Sequence, residues 1–352
     1  MAGDPVRPAR AGTPGDGGTF MFPMFATTGS SSPASREEQE DARGNPLLPL
    51  VAAELAEPVD PRVAALAAGV AARHGAAACA VLFYGSCLRE TRLDGLMLDF
   101  YLIVSDYDRA YRRRWLAVAN RLIPPNVFPF EADGLAAKYA VLSEADFARL
   151  ASARTRNVSV WARFAQPARL VWVANELARR RVVEAVAGAA PALLAAARPM
   201  VPDMLDRLDL WRRAFALTYA AELRAERSTR AGSVVDADPD RYAAFTPATL
   251  GAAGLAASVR RDGMLHFAHA PSPAERRDAE RLWARRRREG KALTLLRLAK
   301  ASATFAGGID YLAWKINRHA GTAITIRPWQ RRWPLIGALA LLPRLWSRGA
   351  IR

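Results

Sequence analysis

Two nearly continuous apolar runs constrain the fold of this chain more than any other feature of its sequence. The first run is AAACAVLFYGS, which follows Gly75, and the second is LMLDFYLIV, which ends at Val104. Apolar runs of this length are typical of strands that are buried on both faces of a sheet. Such a sheet needs helices on both sides, so the two runs predict an α/β domain.

The flanking segments provide helices and a hairpin for this domain. Residues 61–74 carry apolar residues at helical spacing after Asp60, which is a typical N-cap. A basic amphipathic segment at 109–122 predicts a second helix, and the segments on either side of Gly134 predict a hairpin. We therefore predict one α/β domain over residues 46–150.

The remainder of the chain is predicted to be mostly helical, and its 51% hydrophobic content is enough for a large core. The predicted helices cover residues 144–153, 175–187, 203–227, 248–260, 273–288 and 291–317, with loops at 199–202, 236–240 and 271–273. The predicted fold class is α+β. Its parts are a flexible tail at 1–45, a nucleotidyltransferase-type α/β domain at 46–150, a helical domain at 151–324 and an amphipathic, basic tail at 325–352.

Charge and cysteine content limit the partners and the compartment. The 352 residues include 50 Lys and Arg against 34 Asp and Glu, a formal net charge of +16. This excess predicts an anionic partner, which could be nucleic acid, a nucleotide or an acidic membrane surface. The two cysteines, Cys79 and Cys87, are too few for a disulfide framework or a cysteine-rich zinc site. We expect a reducing compartment such as the cytoplasm.

Gly85, Ser86 and Asp99 form the pattern that indicates chemistry. A strand that ends in Gly-Ser can bring backbone N–H groups and a hydroxyl against a phosphate, because glycine permits close approach. The next strand carries Asp99 to the same edge, where a carboxylate can hold Mg²⁺ between phosphate oxygens. Nucleotidyl transfer requires this combination.

The same residues resemble the signature of the polymerase-β-like nucleotidyltransferase superfamily. In that signature Gly-Ser precedes an Asp-apolar-Asp strand by nine to thirteen residues, and here twelve residues separate Ser86 from Asp99. The second aspartate position holds Tyr101, so the usual two-carboxylate metal clamp is incomplete. Glu131 or Asp133, on the predicted hairpin, could supply the missing oxygen ligand.

Further motifs resemble the mitochondrial-type phosphatidate cytidylyltransferase (CDP-diacylglycerol synthase) family over about residues 80–320. That family has Tyr-Gly-Ser-Gly, Ile-Asp-Phe, Lys-Tyr-Gly-Val and Tyr-x-Ala-Gly-Arg-Leu-x-Lys-Pro in this order. The similar segments here are Phe83–Ser86, Leu98–Phe100, Lys138–Val141 and Val160–Pro167. The family also opens its strand with a single aspartate, so Tyr101 is compatible with it. Cys87 departs from the pattern, since the family has glycine there.

The resemblance implies a phosphatidate cytidylyltransferase that uses Mg²⁺. CTP would lie over the Gly85-Ser86 turn with Mg²⁺ held by Asp99, and phosphatidic acid would attack the α-phosphorus to give CDP-diacylglycerol and pyrophosphate. Lys138 would act with Asp99 as a catalytic residue, and Arg163 would bind the nucleotide. Cations and metal matter more than a strong base, because the reaction brings two anions together.

A lipid substrate requires contact with a membrane, and the C-terminal tail predicts such contact. Residues 325–352 place tryptophans and leucines among arginines, a composition suited to lying in the interface of an anionic membrane. The most apolar stretch, 333–342, has about half the length of a membrane-spanning helix. We therefore expect a peripheral membrane protein. The alternative is that the tail packs on the domain.

Two other functions are consistent with the sequence. The same catalytic core could transfer a nucleotide to a protein, an RNA or a small molecule. No RNA-binding module is evident in the sequence, so nucleic acid is not the expected partner. The other alternative is a catalytically inactive nucleotide-binding membrane protein, because Tyr101 and Cys87 depart from active-site patterns.

Overall fold

The structure of the protein is a computed structural model that describes residues 45–89, 93, 95–222, 230–262, 264–304 and 325–329. The helices in this part of the chain are α1 (Leu47–Ala56), α2 (Pro61–Ala72), α3 (Tyr107–Ala110), α4 (Arg114–Leu122), α5 (Glu144–Leu150), α6 (Ser159–Phe164), α7 (Glu176–Ala187), α8 (Ala189–Ala197), α9 (Arg207–Ala221), α10 (Arg230–Asp236), α11 (Pro239–Ala252) and α12 (Pro273–Thr304). The strands are β1 (Ala78–Tyr84), β2 (Met97–Val104), β3 (Asn126–Ala132), β4 (Leu135–Ser143), β5 (Ala168–Val173), β6 (Met204–Asp206), β7 (Ala257–Val259) and β8 (Met264–Phe267). The fold class is α+β, as predicted. The predicted N-terminal tail lies outside the described residues except for Asn45, and the C-terminal tail does so except for residues 325–329.

Strand β2 is the centre of the larger sheet, whose strand order is β3-β4-β2-β1-β5. It pairs antiparallel with β1 and parallel with β4. Leu98, Phe100 and Leu102 are fully buried on one face of the sheet, together with α2, and Ile103 is fully buried on the other. The prediction that the apolar runs form strands buried on both faces is confirmed.

The core on the Ile103 face continues from the sheet into the helices that follow it. It includes the buried rings of Trp161, Trp211 and Trp283, which come from α6, α9 and α12. Strand β5, which lies beyond the domain boundary predicted at residue 150, pairs with β1 at the edge of the sheet. Packing is therefore continuous across that boundary.

After residue 200 the structure differs from the predicted helix at 203–227 and contains a small sheet that was not predicted. The predicted helix at 203–227 begins instead with strand β6, and its helical part, α9, ends at Ala221. Strands β6, β8 and β7 form a small antiparallel sheet that the sequence does not predict. Strands of three or four residues are too short to show a clear alternation of apolar and polar residues.

The loop predicted at 236–240 and the helix predicted at 248–260 are misplaced. Helix α11 begins at Pro239, which is favoured in the first helical turn. The Asp238 side chain caps this helix by accepting a hydrogen bond from the backbone N–H of Arg241 at 3.3 Å. The Asp-Pro pair is therefore a helix start rather than a loop.

Helix α12 is continuous across the break predicted at residues 289–290. A Cβ added to Gly290 would overlap the carbonyl oxygen of Ala221 at the end of α9. Gly290 therefore allows two helices to approach closely and does not end a helix. Helix α12 is described as far as Thr304, and the predicted continuation to residue 317 lies outside the described residues.

One apolar stretch in the described part of the chain, Glu176–Met200, is long and apolar enough to cross a membrane. It comprises α7, α8 and the turn that follows them. Most of this stretch is buried inside the protein, where Leu193 and Leu194 belong to the main core.

Arg241 and Glu54 form a buried ion pair that joins α11 to α1. Arg241 donates from Nη2 to Glu54 Oε1 at 2.9 Å and from Nε to Oε2. It also donates from Nη1 to the carbonyl oxygen of Ala165, just after α6, at 3.3 Å. Because both charges have left water, each depends on the other to offset its desolvation.

Replacing Glu54 with alanine should lower the free energy of unfolding by about 3 to 5 kcal/mol, because Arg241 would stay buried without its carboxylate. Urea unfolding followed by circular dichroism measures the loss. Asp278→Ala is the matched control, since its ion pair with Arg281 is exposed and such pairs contribute less than about 1 kcal/mol. Equal losses in the two variants would contradict this account of the buried pair.

Candidate active site

Strands β1 and β2 bring Gly85 and Asp99 together at one edge of the larger sheet. Tyr84, the last residue of β1, pairs with Asp99, so the turn that follows starts directly beside the carboxylate. Gly85 has a φ of 96°, and a Cβ added there would lie 3.4 Å from Asp99 Oδ2. An L side chain would be strained at this φ, and its Cβ would make ordinary van der Waals contact with the carboxylate. Glycine therefore allows the turn to lie directly beside Asp99.

Ser86 is exposed at the start of a 3₁₀ turn that spans Ser86–Arg89. The next residue, Cys87, points into the core, and its thiol donates to the carbonyl oxygen of Met97 at 3.6 Å. This contact ties the turn to the start of β2. The structure thus brings Gly85, Ser86 and Asp99 together, with the Ser86 side chain accessible to a ligand.

Lys138 lies directly opposite Asp99 in the parallel pairing of β4 with β2. Its Nζ is 3.1 Å from Asp99 Oδ1, and both side chains are partly exposed. An anion that enters beside Asp99 would therefore meet the ammonium group as well as the Gly85 turn. Parallel register decides this position, because Lys138 is thirty-nine places from Asp99 in the sequence.

Arg163 reaches the same region from α6, which packs on the Asp99 face of the sheet. Phe164 anchors this helix, since its ring centroid is 5.2 Å from that of Tyr101 and 6.0 Å from that of Tyr84. Arg163 Nη1 donates to the carbonyl oxygen of Ser159 at 2.8 Å, which holds the guanidinium along the helix.

Glu222 is a second carboxylate close to Arg163. Its Oε1 is 3.8 Å from Arg163 Nη1, its side chain is buried, and it accepts a hydrogen bond from the Ser159 hydroxyl. Burial by itself lowers the pKa of Arg163. Interactions with Tyr101, Glu222 and further neighbours, including Asp99, outweigh burial and raise this pKa above its ordinary value. Arg163 is therefore a permanent cation that interacts with both carboxylates.

Two further cations reach this region from α12. Arg297 donates from Nε to the carbonyl oxygen of Pro124 at 2.7 Å and from Nη1 to Ser159 Oγ at 2.8 Å. Its Nη2 is buried and has no hydrogen-bond partner among the described residues. Lys300 donates to two carbonyl oxygens of the same loop, one of them that of Pro125 at 2.8 Å.

These side chains form a set that we call the cation cluster: Lys138, Arg163, Arg297 and Lys300. Asp99 and Glu222 are the carboxylates that interact with it. Burial lowers the pKa of Arg297, and burial together with the charge of Arg297 lowers the pKa of Lys300 to about 7. Lys138, Arg163 and Arg297 already outnumber the two carboxylates, so a bound anion would reduce the repulsion among the cations and would favour the charged form of Lys300.

The geometry around Asp99 limits how a metal ion could bind. Within the described residues, no group of three or more His, Cys, Asp or Glu side chains is arranged to hold a metal. Tyr101 is a buried core residue that packs on Phe164, so it supplies no metal ligand in place of the second aspartate. Mg²⁺ often binds one or two carboxylates together with substrate phosphates. Asp99 therefore fits a Mg²⁺ ion that arrives with a nucleotide.

The structure does not bring Glu131 to Asp99. Glu131 is exposed on the edge strand β3, where it pairs with Ala136, and Ala136 in turn pairs with Met97. Two strand spacings and two residues along the strand separate it from Asp99, roughly 12 Å between Cα atoms. Two ligands of one Mg²⁺ ion must lie much closer together, since each is about 2 Å from the metal.

Sequence reasoning missed Glu222, Arg297 and Lys300 as site residues. Arg297 and Lys300 are the charged residues within the apolar segment LTLLRLAK of α12, and this isolation is a signal that could have indicated them. Glu222 follows the last residue of α9 and reaches the site through tertiary packing.

Comparison of the chain with known proteins found no match, either among protein-family models or among curated proteins. Function is therefore inferred from the geometry of the site and from the sequence motifs.

Gly85→Ala should weaken binding of Mg²⁺-CTP by about tenfold or more, because alanine is strained at the φ of Gly85 and relief of that strain would displace the turn from Asp99. The matched control is Gly95→Ala, since Gly95 also has a positive φ, 76°, but has open space around it. Both variants should lose about 1 to 2 kcal/mol of stability from backbone strain. Isothermal titration calorimetry measures the binding, and equal affinities in the two variants would contradict a phosphate site at this turn.

Lys300 should make the stability of the protein depend on pH. Its pKa is about 7 in the folded protein against 10.5 for an ordinary lysine. Between these values the unfolded chain keeps a proton that the folded protein has released, so the free energy of unfolding should rise with pH. Lys300→Met should remove this rise, which urea unfolding of both proteins from about pH 6 to about pH 10 can measure. Parallel curves for the two proteins would contradict the lowered pKa.

Proposed function

We propose that this protein is a nucleotidyltransferase, and specifically a phosphatidate cytidylyltransferase that transfers CMP from CTP to phosphatidic acid. The observation that carries the proposal is the Gly85-Ser86 turn, which lies against Asp99 with Lys138 beside it. This arrangement combines a phosphate-binding turn, a metal-binding carboxylate and a cation at one sheet edge.

The nucleotide would bind at the turn through its triphosphate. Backbone N–H groups and the Ser86 hydroxyl would donate to phosphate oxygens, and Lys138 would bind a further oxygen as a point charge. Asp99 would hold Mg²⁺, which when bound supplies charge neutralisation on the phosphates. Arg163, which interacts with Asp99, would bind the triphosphate from the side of α6.

The cation cluster favours an acceptor that is itself a phosphate. A hydroxyl acceptor must lose a proton and needs a general base, whereas a phosphate monoester is already an anionic nucleophile. The groups that surround Arg163 include Arg297, whose buried Nη2 faces no partner among the described residues. Arg297 and Lys300 would bind the acceptor phosphate and offset its repulsion from the nucleotide.

The transfer then requires no proton transfer, because the acceptor phosphate is already anionic. An oxygen of the acceptor phosphate forms a bond to the α-phosphorus of CTP, the bond from that phosphorus to the β-phosphate oxygen breaks, and pyrophosphate leaves. The choice of cytosine and of a diacylglycerol lipid comes from the family resemblance of the sequence motifs. Transfer to another acceptor, which could be a protein, an RNA or a small molecule, is the second reading of the same site.

The purified protein should transfer label from [α-³²P]CTP to phosphatidic acid in vesicles when Mg²⁺ is present, and Asp99→Asn should reduce the rate by about a thousandfold or more. The substitution keeps the size of the side chain and removes its charge. Asp133→Asn is the matched control, because Asp133 is exposed at the hairpin turn and asparagine tolerates its positive φ of 50°.

The same assay with each of the four labelled nucleotides separates the alternatives. Label in lipid from CTP supports the proposal, and label in RNA, protein or a soluble phosphate compound supports the second reading. Full activity in Asp99→Asn would remove Asp99 from the site. Absence of transfer from every nucleotide to every acceptor would overturn the assignment as an enzyme.

A further inference from the structure

Helix α4 presents an apolar stripe to solvent. Trp115 is 46% exposed, Val118 is 51% exposed and Leu122 is 74% exposed. Their spacing of three and four residues places them on one face of the helix, while Ala117 and Asn120 are buried on another. A helix on a protein surface ordinarily shows polar residues on its outer face. We call Trp115, Val118 and Leu122 the α4 stripe.

Arginines surround the α4 stripe. Arg112, Arg113 and Arg114 are consecutive and exposed where the chain enters the helix, and none forms a salt bridge with a described carboxylate. Arg114 and Arg121 lie seven residues apart along one side of the stripe, where Arg121 pairs with Asp108 and Asp106 and Arg114 also interacts with Asp108, so that the arginines outnumber these two carboxylates. The stripe is therefore an apolar surface inside a positively charged margin.

We infer that α4 is a docking surface for an anionic lipid bilayer. An anionic bilayer is complementary to both the apolar stripe and the arginines around it. Tryptophan is favoured at the headgroup level, leucine and valine enter the acyl boundary, and arginines attract anionic headgroups. The stripe belongs to the folded domain, so it would add a membrane contact to the one expected from the sequence of the C-terminal tail.

Charge argues against the other occupants of this surface. The C-terminal tail of this chain carries Arg327, Arg331 and Arg332 among its first residues, so it would bring positive charge against Arg112–Arg114. A second copy of the chain has a net charge of +16 and would meet the same repulsion. An anionic surface has the complementary sign.

The position of α4 connects this surface to the cation cluster. The helix ends at Leu122, and the loop that follows directly contributes the carbonyl oxygens that accept hydrogen bonds from Arg297 and Lys300. A lipid phosphate at the headgroup level beside the α4 stripe would therefore be near the cations that we assign to the acceptor. This last step depends on the proposed function, whereas the docking surface does not.

The test measures binding of the full chain to vesicles without nucleotide. One vesicle type is phosphatidylcholine alone, and the other contains about 30% phosphatidylglycerol, which is anionic but is not the proposed substrate. Cosedimentation should show that the wild-type protein prefers the anionic vesicles. The variant Trp115→Ser with Leu122→Ser should bind them about tenfold more weakly.

The matched control is Leu177→Ser with Val259→Ser, two residues that are 57% and 42% exposed on α7 and β7. The control variant should bind the vesicles as the wild type does. All four substituted residues of the stripe and control variants are exposed, so urea unfolding should show that both variants keep their stability. A second pair tests charge: replacing Arg112–Arg114 with alanine should reduce binding and its salt dependence, whereas Arg260→Ala with Arg261→Ala should not.

Each result decides the inference. Wild-type affinity in the stripe variant, or equal losses in the stripe and control variants, would overturn it. Failure of the wild-type protein to bind either vesicle type would also overturn it. Failure of the proposed function is distinguishable, because these vesicles contain neither nucleotide nor phosphatidic acid and their binding does not require transfer.

Discussion

The antiparallel register of β1 and β2 is the constraint on which the candidate site depends. Pairing of Tyr84 with Asp99 sets the Gly85 turn against the carboxylate, and the parallel register of β4 adds Lys138 on the same face. A shift of one residue would turn Asp99 into the apolar core on the opposite face. The buried residues on both faces of β2 prevent that shift, so core packing maintains the chemistry of the site.

The cation cluster is the second physical feature that distinguishes this fold. Burial of Arg297 and Lys300 carries a free-energy cost, which the lowered pKa of each side chain reflects. Hydrogen bonds to loop carbonyl oxygens and to Ser159 offset part of that cost. A bound anion would offset the residual excess of positive charge, so under the proposed function the packing of α12 and the binding of phosphate would be linked.

Local sequence predicted the central strands, the turn at Gly85 and the helix that begins at Pro61, because each depends on neighbouring residues. It misplaced the start of α11, because an Asp-Pro pair can form a loop or begin a helix. It also divided α12 at Gly290, because glycine can end a helix or allow close packing of two helices. Gly290 looks like a helix end until its contact with Ala221 is known. Glu131 was expected as a metal ligand near Asp99, but the strand order places β4 between β2 and β3.

The amino-acid sequence by itself determined that two largely apolar strands carry a glycine turn and a lone aspartate, because apolar patterning and glycine conformation are local properties. Only the tertiary structure decided which charges surround that aspartate. Lys138, Arg163, Glu222 and Arg297 come from separate elements, and strand register and helix packing, which depend on long-range contacts, bring them together. The same holds for the α4 stripe, whose apolar spacing is visible in the sequence but whose exposure depends on the face that α4 buries.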